Sequence, residues 1–307
     1  MGARKALPVS GGAKDRLMRQ ATYAAVATAA ILVVIKLAAW AATGSVALLS
    51  TLIDSLLDGA ASLVNLWAVR HALQPADREH RFGHGKAEPL AGLAQAAFVA
   101  GSAIFLIIQS VERLINPLPV SRPEIGIAVM LIAILLTLGL VGFQNYVVRK
   151  TKSVAVSADS LHYAGDVLIN GSVILSLGLG AWLGWTLLDP LFAIAIALYL
   201  VATAKGIAQD SLTHLMDREF PEEERLRIKQ IARTHPGVAN VHDLRTRSSG
   251  ISSFIQMHLE LDGALPLAEA HEIADAVEQK LRAAFPEAEV IIHQDPAGLK
   301  ENHPTFQ

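Results

Sequence analysis

The sequence predicts an α-helical polytopic membrane protein with six transmembrane helices and a C-terminal cytoplasmic α+β domain, and three observations carry that expectation. The 307 residues are 52% hydrophobic and only 18% charged, against roughly 25% in soluble domains, and the mean hydropathy is +0.40. The apolar residues gather in six runs, each about long enough to cross ~30 Å of hydrocarbon at ~1.5 Å per residue. After Lys205 the pattern changes abruptly to alternating charged and apolar residues, as a soluble domain requires. The same composition excludes other classes. The 26 Lys+Arg are matched by 28 Asp+Glu, so no basic excess exists to hold nucleic acid through its phosphates. Cysteine is absent, which excludes disulfides and thiolate metal sites and leaves His nitrogen with carboxylate or carbonyl oxygen to bind any metal.

The six runs lie near Tyr23 to Ala42, Val46 to Val69, Leu90 to Ile115, Ile125 to Val148, Ser160 to Trp182 and Leu188 to Lys205. A helix closes its backbone hydrogen bonds within one such segment, which is what lets it sit in lipid. The first run imitates a signal peptide, with Arg4, Lys5, Lys14, Arg16 and Arg19 ahead of it and Ala39-Trp40-Ala41 as a mock cleavage site. It is longer than the usual apolar core of roughly 7 to 15 residues and a second run follows at once, so a span is the better reading. Lys and Arg set the orientation. They crowd the amino-terminal segment, the loop Arg70 to Pro89 and the loop Arg149 to Ser160, whereas the opposite connections hold only Arg113 and Arg122. Both termini are therefore expected in the cytoplasm. Lys36, inside the first run, is expected to snorkel or to pack between helices without touching substrate.

Beyond the spans, Pro221-Glu222-Glu223-Glu224 opens a helix that Pro236-Gly237 ends. Val238 to Arg247 and Ser253 to Leu261 read as strands around a turn at Ser248-Ser249-Gly250, Leu267 to Phe285 as an amphipathic helix, and Ala288 to His293 as a last strand. The expected divisions are a cytoplasmic amino-terminal segment (1–20), a transmembrane domain (21–208), a cytoplasmic α+β domain (209–296) and a tail (297–307).

Three clusters carry chemistry. Asp54 and Asp58 stand four apart in the second span, and His162 and Asp166 stand four apart in the fifth, so each pair shares one helical face. Counting inward puts both pairs roughly 12 to 18 Å deep, near the midplane. An aspartate at that depth costs ~2.5 to 3.5 kcal/mol, so three of them with one histidine need something that compensates them, and a divalent cation would. Three carboxylates and one imidazole suit zinc or cadmium and tolerate ferrous iron or manganese. In the loop after the second span, Asp77, His80 and His84 can reach one ion, with Gly83 and Gly85 freeing the backbone; on spacing alone, a solvated charged loop is an equal reading. The third cluster is His242, His258, His271, His293 and Asp295. Alternation along Phe254 to Leu261 turns His258 away from the apolar face, yet spacing does not show that these five converge.

Together, Asp54-x3-Asp58, His162-x3-Asp166, the Phe-Gly-His-Gly-Lys loop and the segments His-Asp-Leu-Arg-Thr-Arg and Ile-Ile-His-Gln-Asp-Pro resemble the cation diffusion facilitator family, most nearly its bacterial ferrous-iron and zinc efflux members, from about Leu17 to Pro296. The resemblance implies a homodimeric, proton-coupled exporter of divalent cations in the bacterial inner membrane, with a metallochaperone-like cytoplasmic domain that dimerises. It implies that Asp54, Asp58, His162 and Asp166 form the transport site, that Asp77, His80 and His84 form a loop site, and that His242, His258, His271, His293 and Asp295 form a cytoplasmic site in which His271 bridges two ions. It further implies a Lys86–Asp217 ion pair linking the two parts. Zn2+ is the implied ion, both as cargo and as regulator, with Cd2+, Fe2+ and Mn2+ compatible. Deprotonated ligands hold metal, so protons and metal compete for the same groups, and antiport by alternating access follows. A membrane-embedded metalloenzyme is the main rival, but no His-Glu-x-x-His or Gly-x-Ser-x-Gly sequence appears. A membrane-anchored metal sensor is the second, and an anchor needs no buried ligands.

Overall fold

The computed structural model describes residues 12–44, 46–115, 123–183 and 188–298. Arg4, Lys5, Arg122 and the tail from Leu299 onward lie outside the described residues. The chain divides into two compact units, one ending at Leu212 and the other beginning at Thr213.

The first unit is six helices: α1 (Gly12–Thr43), α2 (Val46–Ala72), α3 (Ala87–Ile115), α4 (Pro123–Thr151), α5 (Val154–Leu183) and α6 (Leu188–Leu215). Five of them, α1, α2, α3, α4 and α6, are long and apolar enough to cross a membrane. The 30-residue α5 matches them in length and carries the polar group described below. Val34, Leu56, Phe105, Ile108, Leu135 and Leu198 are exposed, an outward apolar surface that suits lipid and not water. Inward faces are built from small residues. Ala21, Ala25 and Ala29 recur every four positions along the buried stripe of α1, and a side chain added at Gly59 of α2 would touch Ala29. Val99 and Ala103 of α3 bury with Ala197, Leu200 and Ala204 of α6. At Gly165 of α5 even a Cβ would lie 2.7 Å from Leu200, so these helices touch where glycine permits it.

The helix ends have local causes. Gly44 takes φ +62° and returns its N–H to the Trp40 carbonyl at 2.7 Å, closing α1 as a left-handed C-terminal residue does. Ser153 accepts the Val156 N–H at 3.2 Å and caps α5, which fixes where Asp159, His162 and Asp166 fall along it. Two spans run further than their apolar cores predict. α1 begins at Gly12 because Met18, Ala21 and Thr22 are buried against neighbours, and α6 reaches Leu215 because Ile207 and Ser211 are buried well past Lys205.

The second unit contains α7 (Glu222–Arg233), β1 (Asn240–Ser248), β2 (Ser253–Leu261), α8 (Leu267–Ala284) and β3 (Ala288–Pro296). The sheet order is β1-β2-β3, with β1 antiparallel and β3 parallel to β2. Ile255, Met257, Leu259 and Leu261 point inward onto Ile228, Val277 and Leu281 of the two helices, so both helices cover one face. The other face carries Gln256, His258 and Glu260, as alternation requires. β3 extends past His293 to Pro296 because it keeps pairing with β2 through Leu261.

Candidate metal sites

In the helical unit the i, i+4 spacing of α5 stacks His162 over Asp166, and α2 brings Asp58 to the same place. His162 Nε2 lies 3.1 Å from Asp58 Oδ1 and 3.9 Å from Asp166 Oδ2. Ligand atoms of these three side chains all lie within 4.8 Å of one another. The imidazole is buried beside Phe98, which it meets near-perpendicularly with ring centroids 5.4 Å apart, and Tyr163, tilted at the same distance. Asp54 stands outside this group, one turn earlier on α2 and exposed in the single chain. Lys36 reaches across from α1, donating to Ser55 Oγ at 2.6 Å and to the Thr51 carbonyl at 3.1 Å, so its ammonium is held between α1 and α2.

Polar residues that sequence reading passed over support this group from beneath. Asp159, fully buried, accepts the Gln144 amide at 2.6 Å, joining α5 to α4. Ser62 shares a 2.8 Å hydrogen bond with the Tyr163 hydroxyl, and Asn65 donates to the Ala155 carbonyl at 3.4 Å. Each lies on a helix whose apolar character dominates its window, and the signal that could find them is the spacing of Asp159 one turn before His162.

The loop Leu73 to Lys86 folds on Asp77. One carboxylate oxygen accepts the His80 N–H at 2.7 Å and the Glu79 N–H at 2.9 Å, a turn that holds the Asp77 carboxyl below the ordinary carboxylate range, the His80 bond contributing most. The two histidines then gather on it: His80 Nδ1 lies 3.5 Å and His84 Nε2 3.3 Å from the Asp77 oxygens. Gly83 at φ +79° makes the bend between them. All three residues share one candidate ion position.

In the second unit, strand register builds the site. His242 pairs with His258 across β1 and β2, and His258 pairs with His293 across β2 and β3, so three imidazoles form a row across the sheet. Asp295, two residues past His293 on the same side of β3, reaches under them: its Oδ2 lies 2.7 Å from His258 Nδ1 and 3.4 Å from His242 Nε2, and its Oδ1 lies 3.1 Å from His293 Nε2. His242, His258 and Asp295 meet closely enough to share an ion, and the His258 and His293 rings stand 4.7 Å apart. His271 does not join them. It is exposed on α8 and lies 3.6 Å from Asp275. Two acids missed from sequence flank the row. Glu260 lies 3.0 Å from His242 Nδ1, and Asp243, at a bulge with φ +43°, lies 3.8 Å from His258 Nε2. Asp243 is engaged by Arg245 through Nε at 3.1 Å and Nη2 at 3.0 Å, which raises the guanidinium pKa, and Asp295 is the carboxylate that reaches all three imidazoles. Asp217 lies 3.5 Å from Arg247 within this same unit.

Imidazole and carboxylate donors in these arrangements suit borderline divalent ions such as zinc. The family model for the cation efflux transmembrane domain matches residues 22–216, and that for the cation efflux protein cytoplasmic domain matches residues 220–297. The cation-efflux pump FieF of Salmonella agona (strain SL483) is 51% identical over 284 residues, covering 92% of this chain and 94% of the relative. FieF of Escherichia coli (strain K12 / DH10B) is 50% identical with the same coverage. Among solved structures, the zinc form of the putative zinc transporter CzrB is 36% identical and covers 28% of this chain and 99% of its own, with a TM-score of 0.26.

Proposed function

The chain belongs to the cation efflux family, the cation diffusion facilitators, and from that premise we propose that it exports divalent metal cations from the cytoplasm in exchange for protons. Membership makes it a cation efflux pump set in a membrane, a transporter and not an enzyme. The observation that carries the finer reading is the meeting of Asp58, His162 and Asp166 from two helices of the membrane unit. Asp54 would join them as the fourth ligand, since it shares their face of α2 one turn away.

All four groups bind metal only when deprotonated, so each proton that arrives displaces metal and each ion that binds releases protons. A pH difference of one unit is worth about 1.4 kcal/mol per proton, enough to drive a tenfold metal gradient per proton with electrical terms aside. Alternating access then loads the site from the cytoplasm and empties it outside. Zn2+ and Cd2+ fit the donor set best, with Fe2+ and Mn2+ tolerated. The pump would work as a homodimer in the bacterial inner membrane, α5 completing six spans and both termini facing the cytoplasm. Residues 209–296 would pair the subunits, and metal on the row of His242, His258 and His293 with Asp295, with His271 offered from α8, would tighten that pairing and bias the membrane unit toward one state. The loop site of Asp77, His80 and His84 would hold a further ion.

Zinc export from proteoliposomes under an imposed pH gradient tests the proposal. Asp58→Ala should abolish proton-driven flux; full flux in that variant would end it.

A further inference from the structure

The loop site, as the three residues Asp77, His80 and His84, is one ligand short of a closed tetrahedral zinc shell. Beside it stands His71, in the last turn of α2. Its ring meets that of His84 edge-on, with centroids 4.7 Å apart and planes at 66°, while His80 meets the same ring at 4.6 Å. Two imidazoles bound to one tetrahedral zinc at ~2.0 to 2.1 Å hold their centroids about 5 Å apart, so these rings already have the spacing of co-ligands. On its other side His71 lies flat on Trp67, centroids 5.3 Å apart and planes within 4°. A second observation comes from His84. Its side chain is 4% exposed, its Nε2 faces Asp77, and its Nδ1 is buried with no hydrogen-bond partner among the described residues. A buried ring nitrogen left bare is costly, so this imidazole is held in place by something other than its own hydrogen bonds.

We infer that His71 is the fourth ligand of the loop site, so that His71, Asp77, His80 and His84 hold one Zn2+ or similar borderline divalent ion between them. The ligand atoms already within 4.8 Å of one another are those of the other three, and His71, half-buried, joins by rotating about its side-chain bonds. Four protein ligands close the shell, which makes this a retained ion and not a stage in transit. Because His71 ends the helix that carries Asp54 and Asp58, the ion would clamp the α2–α3 loop to the transport helix. The inference rests on the proposal that the loop binds metal at all.

Co2+ binding to the full-length protein separates the two. In a background with the other sites silenced by Asp58→Ala and His258→Ala, Co2+ should give the intense visible absorption of a four-coordinate ion, and His84→Ala should abolish it. His71→Phe, which keeps an aromatic ring on Trp67 but removes the nitrogens, should weaken Co2+ binding about tenfold or more and shift the spectrum toward higher coordination with water. If His84→Ala leaves binding intact, the loop site itself falls and the inference with it. If His84→Ala abolishes binding but His71→Phe changes neither affinity nor spectrum, the loop site stands and the assignment of His71 is overturned.

Discussion

The membrane unit and the carboxy-terminal unit use the same donors on opposite scaffolds. In the helices, two ligands four residues apart share a face by the pitch of the chain, and the site needs one meeting between α2 and α5. In the sheet, His242, His258 and His293 are sixteen and thirty-five residues apart, and only pairing register lines them up. The first group therefore depends on the packing of two helices, while the second is fixed to backbone hydrogen bonds. Under the proposed function, that contrast would suit a site that releases its ion and one that keeps it.

The largest expected effect breaks the helical half of the contrast. His162→Ala should lower proton-driven zinc flux about a hundredfold or more, beyond the roughly 10–100-fold cost of groups that only orient a ligand. A drop of less than threefold in vesicle assays would count against it. Next is the support of the sheet. Leu281 of α8 is fully buried beneath β2, and Leu281→Ala should destabilise the carboxy-terminal unit by about 2–5 kcal/mol in denaturant unfolding of the full chain, lowering metal retention there. An unfolding midpoint that does not move would contradict the packing described. A subtler change removes the row without touching the core: His258→Ala with His293→Ala should cut carboxy-terminal metal affinity by about 10–100-fold and weaken subunit pairing, with flux reduced far less than by His162→Ala. Unchanged dimer affinity and unchanged flux would remove the regulatory role. The smallest effect lies in the loop. A carboxyl held below its ordinary value contributes stability above that value and loses it as pH falls through the lowered one, so the Asp77 turn should persist through neutral and mildly acidic pH. The Asp77 carboxyl carbon shift in labelled protein should titrate below 3.8, and a midpoint at or above 3.8 would show the turn absent.

The two units also differ in how much of them the sequence discloses. Hydropathy locates the spans because lipid demands long apolar runs, and the apolar runs stop short of the ends of α1 and α6 because Met18, Ile207 and Ser211 are buried by packing that no hydropathy window registers. The pairs Asp54 with Asp58 and His162 with Asp166 stand out since charge in an apolar run is conspicuous. Asp159 and Gln144 escaped because their meaning lies in a contact between helices. In the sheet, alternation predicted the outward face of β2 but could not supply register, so the row of histidines, the orientation of Asp295 and the isolation of His271 belong to topology.

The most direct test of the central claim is a zinc-binding titration of full-length protein with the loop and sheet sites silenced by His84→Ala and His258→Ala. One saturable ion per chain is predicted, lost separately with Asp58→Ala, His162→Ala and Asp166→Ala. Binding that survives His162→Ala with affinity unchanged would contradict a site shared between α2 and α5.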